Sequence, residues 1–105
     1  MKYNFISRDA TFSDNKKKRA EDILTRLERF CSKDPECILT LSRVVDGVIK
    51  LDAKLIVGKE SYIASVENES FSAALDKIYD KLKKQLRREK DKKIINLNNN
   101  KIMTT

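Results

Sequence analysis

The sequence predicts an α+β fold, a two-layer sandwich in which two helices pack on one face of a four-stranded mixed sheet, in the order β-α-β-β-β-α. Two observations lead to this prediction. In two segments, apolar residues recur every three or four positions, which is the period of an amphipathic helix. Elsewhere apolar and polar residues alternate, as they do in strands with one covered and one wet face. With 105 residues, the chain is large enough for one core, so helices and sheet must share it.

The first part of the chain is expected to form a strand and then a helix. Residues 3–7 alternate loosely between apolar and polar types. Ser13 is a typical N-cap, and Asp14 places an acid in the first turn, which favours a helix that begins there. Apolar residues then recur at helical spacing until Asp34 and Pro35 end the run. A right-handed crossover through this helix would leave the first strand parallel to a neighbour.

Three further strands are expected to follow in antiparallel order. Residues 38–45 are rich in apolar and β-branched types. The Asp46–Gly47 pair is a strong hairpin signal, and residues 49–57 then alternate as a half-buried strand does. A second turn leads into residues 62–66, which alternate in the same way. Ser70 is suited to cap the helix that comes next.

The segment 71–93 carries two stripes on one predicted helix. The apolar stripe comprises Phe71, Leu75, Ile78, Leu82 and Leu86. The second stripe, which we call the cationic ridge, lies roughly 120° around the helix and comprises Lys77, Lys81, Lys84 and Arg88. The apolar stripe requires a core, and the cationic ridge faces outward. The alternative interpretation of the ridge is a solvated face, because Lys and Glu are good helix formers that keep proteins soluble.

Positive charge is concentrated in two stretches of the chain. The sequence has 23 Lys and Arg against 16 Asp and Glu, a formal net charge of +7 with a pI near 9.5. Residues 71–93 hold nine basic and four acidic residues, and residues 14–31 hold six and four, whereas residues 32–70 hold five and seven. A merely soluble surface would intersperse the two signs. This segregation is typical of a protein that binds a polyanion such as nucleic acid.

The composition argues against several other classes of protein. The chain has no histidine, the commonest general base, and no nucleophile-elbow, P-loop or dinucleotide motif. We therefore predict that it is not an enzyme and needs no cofactor or small-molecule substrate. Cys31 and Cys37 do not fill the four positions of a zinc site, and the reducing cytosol disfavours a disulfide between them. No apolar run suits a membrane span or a signal peptide, so the cytosol is the expected compartment.

Three motifs within this order of elements resemble the ribosome hibernation-promoting factor family, whose members are also called ribosome-associated inhibitors. They are RLERF at residues 26–30, LDAKLIV at 51–57 and AALDKIYDKLKKQLRREKDK at 73–92. The most specific piece is the pattern K-L-x-[RK]-Q-L-x-[KR]-x-K that begins at Lys81. Each fragment alone is weak evidence, but their occurrence in this order over residues 3–93 is specific.

The resemblance implies a protein that lies in the small-subunit channel of the bacterial ribosome, where messenger and transfer RNA normally lie. It would contact small-subunit ribosomal RNA, block translation and protect idle ribosomes under stress or in stationary phase. Phosphates need several cations at fixed spacing, and arginine adds bidentate geometry, so the residue types agree with this role. The basic positions of the family carry over to Arg8, Arg26, Arg29, Lys81, Lys84, Arg87, Arg88 and Lys90.

Three more cations extend this candidate RNA-binding surface. Lys77 belongs to the cationic ridge, and Lys16 and Lys17 belong to a run, residues 16–19, that is more basic than the usual family sequence. The alternative for that run is a solvated first turn, although cations there oppose the helix macrodipole by roughly a few tenths of a kcal/mol each. For any single cation, the alternative is a solvated charge or an i,i+4 ion pair such as Asp80 with Lys84.

Residues 1–93 are predicted to form the ribosome-binding domain, with residues 94–105 an Asn-rich, disordered tail. Long-form family members add a second domain that pairs ribosomes, for which this chain has no room, so we expect a short form. The basic residues of the first helix and the cationic ridge of the second are expected to lie side by side, pointing away from the sheet. Two other functions explain part of the evidence: a general double-stranded RNA- or DNA-binding module, and a polybasic peripheral membrane protein. The latter needs an exposed apolar helix face, whereas the apolar stripe is expected to pack on the sheet.

Overall fold

The computed structural model describes the backbone of residues 1–103 and the side chains of residues 1–88. The elements follow the predicted order, with one 3₁₀ helix added after the first α-helix. They are β1 (Lys2–Ser7), α1 (Asp14–Leu24), the 3₁₀ helix (Thr25–Phe30), β2 (Glu36–Val45), β3 (Val48–Val57), β4 (Glu60–Asn68) and α2 (Phe71–Met103). The predicted α+β class is confirmed.

The four strands form one mixed sheet in the order β1-β2-β3-β4. β1 is parallel to β2, as the sequence predicts for a strand followed by a helical crossover, and β2, β3 and β4 are antiparallel neighbours. Gly47 has a φ of +80° and so supplies the left-handed conformation that the first hairpin turn needs. β1 and β4 are therefore the two edges of the sheet.

The first helical segment differs from the predicted one. The α-helix ends at Leu24, and a 3₁₀ helix continues to Phe30, whereas the apolar spacing predicts one helical run as far as Asp34 and Pro35. Leu24, Leu27 and Phe30 are three residues apart, so a helix with three residues per turn keeps all of them on the core side. Leu24 and Leu27 are buried, and Phe30 packs against the same core.

Both α-helices begin beside the serines predicted to cap them. The Oγ of Ser13 accepts the backbone N–H of Lys16 at 3.2 Å, and the Oγ of Ser70 accepts the backbone N–H of Ala73 at 3.3 Å. Each hydrogen bond satisfies one of the N–H groups that have no partner inside the helix. The two predicted N-caps are confirmed.

α1 and α2 lie side by side and run in the same direction. At their starts, the ring centroid of Phe12, just before α1, lies 6.0 Å from that of Phe71. Further along, the Nζ of Lys83 on α2 lies 6.0 Å from the ring centroid of Phe30, which ends the 3₁₀ helix. Both helix N-termini, with their partial positive charges, are therefore at the same end of the molecule.

The core lies between the helices and one face of the sheet. Alternate residues of β2, β3 and β4 point into it, and the apolar stripe of α2 covers them. The largest fully buried side chains of this core are Leu24, Leu27, Leu39, Leu41, Leu51, Leu55, Leu75, Ile78 and Leu82. The other face of the sheet is exposed and polar in part. There the Oγ of Ser65 donates a hydrogen bond of 2.6 Å to the Oδ1 of Asp52 on the neighbouring strand.

The backbone of α2 continues past residue 93, the predicted end of the folded domain. The side chains of residues 89–105 lie outside the described residues, as does the backbone of residues 104 and 105. The predicted division into domain and tail stays a prediction. Within the described part of the chain, no helix is both long and apolar enough to span a bilayer.

Candidate nucleic-acid interface

Three of the predicted cations lie at the end of the molecule where both helices begin. The Nζ of Lys16 lies 5.7 Å from the ring centroid of Phe71, and the Nζ of Lys17 lies 5.8 Å from that of Phe5. Both lysine side chains are half-buried, and these cation–π contacts favour one position for each ammonium group. Arg8 is exposed directly after β1, in the short connection to α1, and so belongs to the same end.

A groove separates α1 from α2, and charged side chains line both of its walls, with Asp22 on the α1 wall beside the arginines. Arg19 and Arg26 line it from α1 and the 3₁₀ helix, whereas Asp76 and Asp80 line it from α2. All four side chains are exposed, and none forms an ion pair with another described residue. At the groove, α2 therefore presents two carboxylates to a face of α1 that carries both Arg19 and Asp22.

The cationic ridge of α2 lies on the flank of the helix that faces the edge strand β4. The Nζ of Lys81 donates a hydrogen bond of 3.0 Å to the backbone carbonyl of Ser65. One turn later, the Nε2 of Gln85 donates a hydrogen bond of 2.8 Å to the backbone carbonyl of Ile63. The side chains of α2 thereby occupy two acceptors on the outer edge of the sheet.

Among the described residues of α2, Lys77, Lys84, Arg87 and Arg88 are exposed at the surface. Lys84 and Arg88 line the shallow cavity beside β4 together with Lys81, and Lys77 is exposed one turn earlier. Arg87 is also exposed. At about 100° per residue, Arg87 points to the flank of α2 that faces the 3₁₀ helix, away from β4.

The basic residues of α1 and the cationic ridge of α2 are separated. This differs from the predicted arrangement, in which they lie side by side. Asp76 and Asp80 fall on one side of the apolar stripe of α2, and Lys77 and Lys81 fall on the other. The acidic side meets α1 across the groove. The cationic ridge therefore lies on the flank of α2 that is turned away from α1.

No lysine or arginine whose side chain is described forms an ion pair with a carboxylate. The ion pairs between two described residues join the amino group of Met1 to Glu28 and Asp34. Asp80 and Lys84 do not form the i,i+4 pair considered above as an alternative. Because these cations are not paired with carboxylates, they can neutralise phosphates without an ion pair having to break first.

The remaining predicted residues lie at separate places. Arg26 lines the groove between the helices, and Arg29 is exposed with its guanidinium carbon 4.9 Å from the ring centroid of Phe30. Lys90 belongs to α2, but its side chain lies outside the described residues. The structure thus divides the candidate surface into the helix starts, the groove and the β4 flank.

Two residues near these cations are absent from the predicted set. Arg19 lines the groove with Arg26, and their spacing of seven residues is a helical signal that places both on one face. Gln85 follows Lys81 by four residues and extends the same row. Its contact with β4 depends on the sheet order, which no local pattern in the sequence specifies.

Burial raises the pKa of three titratable side chains. Burial raises the pKa of the Cys37 thiol to about 12. Burial and the nearby carboxylate of Glu28 raise the pKa of Cys31, so both thiols stay protonated and unreactive near neutral pH. Burial also raises the pKa of the Tyr3 hydroxyl to about 12. In the described part of the chain, no cluster of side chains is arranged to hold a metal ion.

Comparison with known proteins gives matches over nearly the whole chain. The family model described as Sigma 54 modulation protein / S30EA ribosomal protein matches residues 3–94. A protein named ribosome hibernation promoting factor, from Azotobacter vinelandii, is 29% identical over 96 residues, which cover 90% of this chain and 87% of that protein.

Two solved structures have a similar fold. The N-terminal domain of Protein Y from Thermus thermophilus superposes with a TM-score of 0.77 at 21% identity, covering 84% of this chain and 98% of that one. A ribosomal subunit interface protein from Coxiella burnetii superposes with a TM-score of 0.70 at 18% identity, covering 87% and 99%. At these identities the likeness shows that the fold is shared.

Proposed function

Because the chain belongs to the Sigma 54 modulation protein / S30EA ribosomal protein family, we propose that it is a ribosome hibernation factor of the cytoplasm. In this proposal it binds ribosomal RNA of the small subunit, in the channel that messenger and transfer RNA otherwise occupy. The names of two similar proteins, a ribosome hibernation promoting factor and a ribosomal subunit interface protein, support the ribosome as the partner.

The observation that carries the proposal is the set of exposed cations without ion-pair partners on α2. Lys84, Arg87 and Arg88 are exposed, and Lys84 and Arg88 stand at basic positions of the pattern that begins at Lys81. Multiple phosphate contacts of this kind dominate the affinity of proteins for nucleic acid. Folded ribosomal RNA offers phosphates on several neighbouring backbone segments, which suits a surface whose cations lie in separated groups.

The proposed mechanism is steric and involves no covalent step. The helical layer binds the RNA backbone, and the bulk of the domain then occupies space that messenger and transfer RNA need. Arg26 and Arg29 on the 3₁₀ helix and Arg8 after β1 would extend the contacts away from α2. Because this binding is largely electrostatic, it should be reversible and should weaken as salt rises.

Co-sedimentation with purified small ribosomal subunits at physiological salt tests the proposal. The variant Lys84→Ala/Arg87→Ala/Arg88→Ala should lose most of its binding, because three charge-assisted contacts are removed. The matched control Lys2→Ala/Lys50→Ala/Lys54→Ala removes the same charge from the opposite face of the sheet and should bind nearly as well as the unmodified chain. Equal binding by both triple variants would contradict the placement of the interface on α2.

A competition experiment separates this proposal from a general duplex-binding function. Small subunits and a plain RNA duplex are each used to displace the labelled protein from the other. The proposal predicts that the subunits compete far more effectively per binding site, since the cations of α1 and α2 are separated by Asp76 and Asp80. Equal competition by duplex RNA would favour the general binder.

A further inference from the structure

A cavity of about 470 Å³ opens between the end of the 3₁₀ helix, the β3–β4 turn and α2, away from the residues assigned above apart from Arg29. Its size falls in the range of small-molecule sites. Val57 and Leu86, which are 9% and 5% exposed, form an apolar floor. Phe30 and Tyr62, both half-buried, add aromatic surface.

Three cations from separate segments converge on the rim of this cavity. Arg29 comes from the 3₁₀ helix, Lys33 from the loop before β2 and Lys59 from the β3–β4 turn. All three are exposed and form no ion pair with a described residue. A fourth cation, Lys83, has its Nζ 6.0 Å from the ring centroid of Phe30. The fold thus places an apolar and aromatic floor beside three cations and one carboxylate, that of Glu60.

Two contacts hold parts of this rim in place. The side chain of Lys33 crosses the turn at Gly58, where its Cδ lies 3.2 Å from the position that a Cβ would occupy. Gly58 has a φ of +62°, so the absence of a side chain permits both the turn and the close approach of the lysine. The hydroxyl of Tyr62 donates a hydrogen bond of 2.7 Å to the Oε2 of Glu60.

The combination of groups limits the kind of ligand that fits. Aromatic and apolar walls favour a planar ring, as in the stacking of bases on aromatic side chains. The cations favour phosphate. The carboxylate of Glu60 disfavours a simple inorganic anion, but it can accept hydrogen bonds from ribose hydroxyls. A ribonucleotide contains all three chemical parts.

We infer that this cavity binds a ribonucleotide, with the base against Phe30 and Tyr62 and the phosphate between Lys33 and Lys59. The ligand is either a free nucleotide or one unpaired nucleotide of an RNA strand, since both have the same chemistry. Lys33 and Lys59 are not among the cations assigned to ribosome binding. The inference therefore stands or falls separately from the proposed function.

The test is a titration of the ¹⁵N-labelled full chain, followed through its amide resonances. The probes are guanosine diphosphate, inorganic pyrophosphate at the same ionic strength, and single-stranded hexauridylate. Nucleotide binding should shift the amides of residues 30–33 and 58–62 to saturation, with pyrophosphate weaker by about tenfold or more. Tighter binding of hexauridylate than of the diphosphate at these amides identifies an RNA strand as the source. The reverse order identifies a free nucleotide.

Two variants and a control make the result specific to the cavity. Lys33→Ala/Lys59→Ala should weaken nucleotide binding by about tenfold or more, as expected for the loss of charge-assisted contacts. Phe30→Leu should weaken binding of the nucleotides but not of pyrophosphate. The control Lys50→Ala/Lys54→Ala removes the same charge from the open face of the sheet and should bind unchanged.

Three results would overturn the inference. One is the absence of saturable shifts at these amides with either nucleotide probe up to about 10 mM. Another is pyrophosphate binding as tight as nucleotide binding. The third is unchanged affinity in Lys33→Ala/Lys59→Ala when its amide spectrum shows an intact fold.

Discussion

Lys81 on α2 donates a hydrogen bond from its ammonium group to the backbone carbonyl of Ser65, 3.0 Å away on the outer edge of β4. Together with Gln85, it occupies acceptors that an open edge strand would offer to another chain. An ammonium group has three donors, so this contact leaves two for a phosphate. Lys81 is thus a structural residue and a candidate RNA ligand that is already held in position.

Substitution of Lys81 should affect stability as well as binding. Lys81→Met removes the hydrogen bond to Ser65 and should lower the free energy of unfolding by about 0.5–1 kcal/mol, measured by urea denaturation. Lys84→Met removes an exposed ammonium without such a contact and should leave stability nearly unchanged. Both variants should bind small subunits more weakly. Equal stabilities for the two variants would contradict the structural role of Lys81.

The salt dependence of ribosome binding should report the number of phosphate contacts. In the triple variant Lys84→Ala/Arg87→Ala/Arg88→Ala, the slope of log K against log salt should be smaller in magnitude by about 2–3. Fluorescence anisotropy of labelled protein with small subunits at several salt concentrations measures this slope. A variant with weaker binding but an unchanged slope would indicate that these cations act through the fold and not through phosphates.

Alkaline pH should destabilise the fold through Cys37 and Tyr3. Burial raises both pKa values to about 12, from ordinary values of 9.0 and 10.0. Between the ordinary and the raised values, the folded chain binds more protons than the unfolded chain, so the free energy of unfolding falls as pH rises. At pH values well below these ordinary pKa values, both groups are protonated in the folded and in the unfolded chain. They then contribute no pH dependence to the free energy of unfolding.

The measurement is urea denaturation at about pH 8 and about pH 11. The loss of stability between the two should be smaller in Tyr3→Phe and in Cys37→Ala than in the unmodified chain, although Cys37→Ala starts lower because it leaves a cavity. An unchanged loss in both variants would show that other groups cause the alkaline unfolding.

The two glycine turns should differ in their tolerance of alanine. Gly47 and Gly58 both have positive φ, so alanine at either position should cost about 1 kcal/mol in backbone strain. At Gly47 a Cβ would meet open space, whereas at Gly58 it would meet the side chain of Lys33. Gly58→Ala should therefore be the more destabilising in thermal denaturation. The opposite order would contradict the described path of Lys33.

Much of the fold follows from local patterns that the sequence displays. The alternation in residues 49–57, the Asp46–Gly47 turn, and the caps Ser13 and Ser70 each specify an element, and the structure confirms these elements. The 3₁₀ helix was not predicted, although Leu24 and Leu27 were correctly expected on a helical face. Helical spacing alone does not distinguish a period of 3.0 from one of 3.6 over six residues.

The candidate site was predictable in its residue types but not in its arrangement. The period of α2 places Asp76 and Lys77 on opposite sides of the apolar stripe, but it does not say which side meets α1. That depends on the sheet order, which puts β4 at an edge beside Lys81. The convergence of Lys33 and Lys59 has no local signal either, because 25 residues separate them in the sequence.

The carboxylates of Asp76 and Asp80 have a consequence for which polyanions the domain accepts. A polymer whose negative charge is spread evenly across the helical layer would lie over Asp76 and Asp80 as well as over the cations on either side. Repulsion from the two carboxylates would offset part of the attraction to the cations. A folded RNA with one backbone along α1 and another along the far flank of α2 avoids the two carboxylates. The domain would then discriminate by the distance between neighbouring RNA strands, a selectivity that a net charge of +7 alone does not provide.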